Sequence, residues 1–163
     1  GAGIALWIAL HDDLADPDST DPVARQSTRV TCARVTQAQV SYDPRFWVEL
    51  GLERALAHRD WPEMYGYPAG TAYDDPRVAA AAIESAPITH LTADDPPLRF
   101  DYRRPSTLAD ETPMRALIHH PNQAFAMRDA CEPLGVPCTV VFPDGPPETE
   151  SAEAYLIRHL TQP

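Results

Sequence analysis

Between Ala2 and Asp13, with Leu14 just beyond, the apolar residues Ile4, Leu6, Trp7, Ile8 and Leu10 fall almost all round a helical cylinder. That is the pattern of a helix buried between a sheet and other elements. The Pro/Asp/Ser run Asp16 to Asp21 stops it, and Thr28 to Val40 then alternates β-branched and small residues in the manner of a strand. Asp43-Pro44 starts a helix expected through Arg45 to His58, followed by a Trp/Tyr/Pro/Gly-rich stretch from Trp61 to Tyr73. With the alanine-rich helix Pro76 to Ser85, this makes residues 41–86 read as an insertion.

After Thr92-Ala-Asp-Asp-Pro-Pro97, whose paired prolines neither continue a helix nor enter a central strand, the text becomes regular. It reads as a strand from Leu98 to Tyr102, a polar loop from Arg103 to Pro121, a helix from Asn122 to Leu134 with Gly135 as its cap, a strand from Cys138 to Phe142 and a helix from Ser151 to Leu160. Such alternation points to an α/β fold, a mainly parallel sheet with flanking helices joined by right-handed crossovers. Three strands leave edges that need partners. A missing amino-terminal half of the same domain, or self-association, is expected to supply them.

Charge narrows the partners. Thirteen basic residues, all arginine, face 24 acidic ones, and a net charge of −11 repels a phosphate backbone, so nucleic acid is not an expected partner. Apolar residues make up 44% of the chain, but no run approaches the roughly 20 that a membrane-spanning helix needs. Cys32, Cys131 and Cys138 have spacings that match neither a disulfide framework nor a zinc site and read as small buried hydrophobes. The opening Gly-Ala-Gly carries no methionine and no targeting segment, which leaves the compartment open and suggests that more chain precedes it.

The opening segment Gly1-Ala-Gly-Ile-Ala-Leu-Trp-Ile-Ala-Leu-His-Asp-Asp13 resembles the helix that follows the nucleophile elbow of α/β-hydrolases, specifically esterases and lipases with a Gly-Gly-Ser-Ala-Gly elbow. The resemblance extends through Asp12 to Ser19, Asp21 to Thr28, Thr92 to Pro97 and the closing strand and helix, and suggests a bacterial branch of the carboxylesterase-like hydrolases. It implies that residues 1–163 are the carboxyl-terminal part of one α/β-hydrolase domain, a partial fold holding only the last strands. Gly1 is then the elbow's last glycine, with the serine upstream of it. The substrate implied is a small-molecule ester, such as a carbohydrate-linked acyl group, and no metal or organic cofactor is implied.

The same resemblance locates the serine's partners, because a hydroxyl needs a base within reach and the base needs an orienting carboxylate. The acid is expected soon after the penultimate strand, where this chain reads Arg103-Arg104-Pro105-Ser106; Asp110 is the nearest carboxylate and the candidate. The histidine is expected after the last strand, where the chain reads Pro143-Asp-Gly-Pro-Pro147, so the candidate is His120, which also reads as a cap for the helix starting at Pro121 or Asn122. Trp61, Tyr65 and Tyr67 either line a substrate cleft or form the insertion's own small core. A non-catalytic hydrolase-fold binding protein stands as the alternative. The acidic run Asp12 to Asp21 has a calcium loop's charge density without its ligand order, and reads rather as turn chemistry.

Overall fold

The computed structural model describes residues 1–58 and 61–161. Its strands β1 (Ala33–Thr36), β2 (Leu98–Asp101) and β3 (Cys138–Val141) form one parallel sheet in that order. Val35 lies beside Phe100, and Phe100 beside Val140. The helices are α1 (Ala2–Leu10), α2 (Pro44–Glu49), α3 (Trp61–Met64), α4 (Pro76–Ser85), α5 (Met114–Leu117), α6 (Asn122–Cys131) and α7 (Ala152–Thr161), with 3-10 turns at Glu53–His58, Pro87–His90 and Glu132–Leu134. The fold is α/β, a parallel sheet flanked by helices.

The two faces of the sheet differ because β2 reads Leu98-Arg99-Phe100-Asp101, and successive side chains point oppositely. Leu98 and Phe100 join Val35, Leu6 and Leu10 of α1, and Met127 of α6 in the main core. Each such side chain, fully removed from water, contributes about 1.5–3 kcal/mol. On the other face, Arg99 is buried although charged; it pairs with Asp101 and Glu148, donates to the Glu150 carbonyl at 2.7 Å, and lies under Tyr155 of α7. Arg34 reaches the same Asp101 carboxylate at 2.6 Å. A second core gathers Trp47, Leu52, Ala55, Trp61 and Leu117.

Several expected elements come out shorter, each for a local reason. The strand expected over Thr28 to Val40 pairs only from Ala33 to Thr36. Its start is held aside, because Thr28 donates its N–H to Asp13 at 2.9 Å and Arg29 pairs with Asp94, and it ends where Gln37 turns to φ 51°. The helix expected from Arg45 to His58 breaks at Gly51, φ 70°. It starts as expected, with Asp43 accepting the Arg45 N–H at 2.9 Å. The loop from Arg103 to Pro121 contains α5. Helix α6 gives way to a 3-10 turn carrying Pro133 and ends on Gly135, φ 73°, the left-handed position the sequence marks for a cap. The first helix ends at Leu10 and is not covered all round: Ile4 is 67% exposed and Ile8 40%.

Candidate functional site

In open parallel sheets the loops at the carboxyl ends of the strands converge, and ligands bind there. After β1, the Gln37 carbonyl accepts the Nδ1–H of His119 at 2.8 Å and the Ala38 carbonyl accepts the hydroxyl of Tyr102, from just past β2, at 2.6 Å. Burial pushes the Tyr102 hydroxyl well up, so it stays a donor. Gln123, fully buried at the start of α6, accepts the Val40 N–H at 3.2 Å. These bonds draw the segment His119–Gln123 over the end of β1.

His120 is itself buried. Its Nδ1 accepts the Asn122 N–H at 3.2 Å, so in the neutral ring the proton sits on Nε2, which is buried with no partner among the described residues. Burial is the chief cause that holds its pKa below the ordinary 6.5; the Asn122 contact and the Asp144 charge act the other way. Asp110 is exposed at a shallow cavity of about 160 Å³ shared with Gly51, Arg54 and Leu117. Among the described residues no hydrogen bond or ion pair joins Asp110 to His120.

The aromatic candidates divide. Trp61 is buried edge-on against Trp47, with centroids 5.0 Å apart. Tyr65 donates its hydroxyl to the Tyr42 carbonyl at 2.6 Å, and burial pushes its pKa up to about 12. Tyr67 is half-buried, with the Arg77 guanidinium 5.4 Å from its ring centre. Gly1 is exposed ahead of α1, and its carbonyl accepts the Ala5 N–H at 3.0 Å.

Two features escape residue-by-residue reading. Tyr42 places its hydroxyl against Gly3, where an added Cβ would meet it at 1.8 Å. It thereby bounds a groove of about 730 Å³ beside α1, lined also by Ile4, Trp7, Met64 and Ala81. Second, Asp144 after β3 accepts the Ser106 N–H and hydroxyl from the loop after β2, at 2.8 and 2.9 Å, and the backbone bond foremost holds its carboxyl below the usual range. The Asp-Gly pair of Pro143-Asp-Gly announces a turn; nothing in the sequence names its partner.

Among the described residues no group of three or more His, Cys, Asp or Glu side chains is placed to hold a metal ion, and no helix is long and apolar enough to cross a membrane. In the acidic run, Asp13 accepts from Ala15, Ser27 and Thr28, and Asp16 accepts the Asp18 N–H. These are bonds that close turns.

No protein-family model matches the chain, and no curated protein matches it. Among solved structures it is similar to the acetyl ester-xyloside bifunctional hydrolase from Caldicellulosiruptor lactoaceticus, at 19% identity and a TM-score of 0.54. The likeness is one of fold. It covers 88% of this chain and 43% of that one, so the chain spans less than half the length of the protein it matches. With the parallel three-stranded sheet and its flanking helices, it supports a partial α/β-hydrolase-like fold.

Proposed function

We propose that the chain is the carboxyl-terminal part of a hydrolase-fold protein that handles carboxylic esters in a cleft over the carboxyl ends of β1, β2 and β3. The observation that carries this reading is the parallel sheet with Gly1 opening α1 beside it, an arrangement similar over 88% of the chain to a solved hydrolase named for acetyl esters. In this reading a serine just upstream of Gly1 attacks the ester carbonyl, and the amide that follows it helps hold the oxyanion. Asp110 and His120 are assigned as its acid and base, and Trp61, Tyr65 and Tyr67 as residues of the substrate side. For His120 to accept a proton at Nε2, its other proton must move to Nδ1, which releases the Asn122 cap.

The test is ester hydrolysis by the parent protein on a panel of nitrophenyl and sugar acetates, with and without replacement of that serine by alanine. Turnover that disappears with the serine supports the reading; no turnover on any ester overturns it. A second reading, a non-hydrolytic relative that binds an ester-like ligand in the same cleft, is favoured by the bond between Ser106 and Asp144. The two loops from which hydrolases of this fold present acid and histidine are here bonded to each other. Saturable binding of an ester without turnover would select it.

A further inference from the structure

We propose that the groove beside α1 receives the alkyl chain of the ester's acyl group, so that the substrate is an ester of a medium-length fatty acid rather than an acetate. This rests on the ester-handling reading above, in which the attacked carbonyl lies just ahead of Gly1. The groove begins close to that point, at Gly3, and follows α1 to Trp7. The helix rises roughly 9 Å between Gly1 and Trp7. That is a path for several methylenes, whereas an acetyl methyl would leave most of the groove's volume of about 730 Å³ empty.

The walls suit a hydrocarbon. Ile4 and Trp7 come from α1, Met64 from α3 and Ala81 from α4, and the side chains of Ile4 and Met64 are left largely open to water, 67% and 51% exposed. Two contacts fix the shape. At the near end the Tyr42 hydroxyl stands against Gly3, where any side chain would displace it, and the Tyr42 carbonyl accepts the Tyr65 hydroxyl at 2.6 Å. At the far end the Trp7 indole N–H donates to the Glu84 carbonyl at 2.8 Å, which ties α1 to the end of α4. That bond occupies the indole's one donor, so Trp7 offers the groove only carbon. Beyond it the Glu84 carboxylate, 3.6 Å from the His11 ring, makes the end polar and limits the chain that fits. A flat apolar face would suit a protein partner; a slot walled by three helices and polar at its end suits a small ligand.

Two measurements on the parent protein test this. On nitrophenyl acetate, butyrate, hexanoate and octanoate, kcat/KM should climb by up to roughly fourfold per added methylene. Ala81→Phe, which fills the groove from α4, should lower the octanoate-to-acetate ratio by about tenfold or more and leave acetate turnover unchanged. Met64→Asp, at an exposed position, should lower the same ratio by setting a carboxylate against the chain. The second measurement needs no turnover. With the serine replaced by alanine, the methyl ester of a bromine-tipped octanoic acid should quench tryptophan emission saturably, and both variants should abolish the effect. Trp47 and Trp61 are buried in the second core, so the quenching reports on Trp7. Acetate turnover without a rise along the series, or quenching that neither variant diminishes, would overturn the proposal. No turnover on any ester, joined to saturable quenching that both variants abolish, would remove the hydrolytic reading alone and support the groove as the alkyl site.

Discussion

Ser106, in the loop after β2, donates its N–H and its hydroxyl to the carboxylate of Asp144, in the loop after β3, at 2.8 and 2.9 Å, and Thr107 adds a longer contact at 3.4 Å. Asp144 is exposed, so the bond's importance lies in what it holds together rather than in net stability. It is a clasp between the two loops.

Asp144→Ala should therefore free the loop while leaving the core intact. Tryptic cleavage after Arg103, close to the clasp, is expected to speed up, with little change in melting temperature. The carboxyl's pKa is lowered in the fold, so the stabilisation it adds is fully present above its unfolded value, ordinarily about 3.9, and is lost as pH falls through the lower folded value. Cleavage at Arg103 that is equally slow in the variant at neutral pH would sink this account.

His120 gives a pH signature of the same sign in a higher window, below its ordinary value of 6.5. Its folded pKa lies below the ordinary 6.5 mainly because of burial. Between the two values the unfolded chain binds more protons, so stability falls as pH drops from about 6.5 through the folded value and levels off below it. His120→Gln, which keeps an acceptor near the Asn122 N–H, should flatten that decline. Chemical denaturation of both proteins at about pH 7.5 and about pH 5 checks it; parallel pH dependence in the two would assign the effect to other groups.

Trp61 stands edge-on to Trp47 in the second core, and its buried Nε1–H has no partner among the described residues. Trp61→Ala should cost about 3–5 kcal/mol, as truncation of a buried aromatic does. Trp61→Phe forfeits no hydrogen bond to any of the described residues and keeps an aromatic edge, so it should cost less than half of that. The pair also separates packing from ligand contact. If Trp61→Phe leaves stability intact but abolishes ester binding by the parent protein, the ring serves substrate; if both follow packing, Tyr67 is the better place to look.

What was legible in the sequence was whatever local chemistry dictates. Asp43-Pro44 starts α2, Pro76 opens α4, and Gly135 ends the turn after α6, because caps and left-handed positions depend on residues within a few places of one another. The limits of β1 were not legible: whether Thr28 joins a strand depends on Asp13, in the loop after α1, offering its carboxylate first. The exposure of Ile4 and Ile8 was hidden for a related reason, since an apolar surface all round a helix does not state which side is covered. For the candidates Asp110 and His120, the separate surroundings, an open surface and a buried ring that accepts the Asn122 N–H, depend on the path of residues 103–121. The pairing of Ser106 with Asp144 joins two loops with α5 and α6 between them, and no local signal encodes it.

Gly3 offers the sharpest test of the geometry at the start of α1. Alanine is normally favoured over glycine inside a helix by about 1 kcal/mol. Here a Cβ would fall 1.8 Å from the Tyr42 hydroxyl oxygen and 2.9 Å from its ring carbon, well inside contact distance, so the ring would have to swing away. That ring is half-buried, and its residue is held at the backbone by the Tyr65 hydroxyl at 2.6 Å. Gly3→Ala alone should therefore lower the melting temperature. In a Tyr42→Ala background the obstruction is gone and the helix preference returns, so the same substitution should raise it. That reversal of sign cannot come from helix propensity, and a double-mutant cycle showing simple additivity would mean that Tyr42 does not rest on Gly3 in solution.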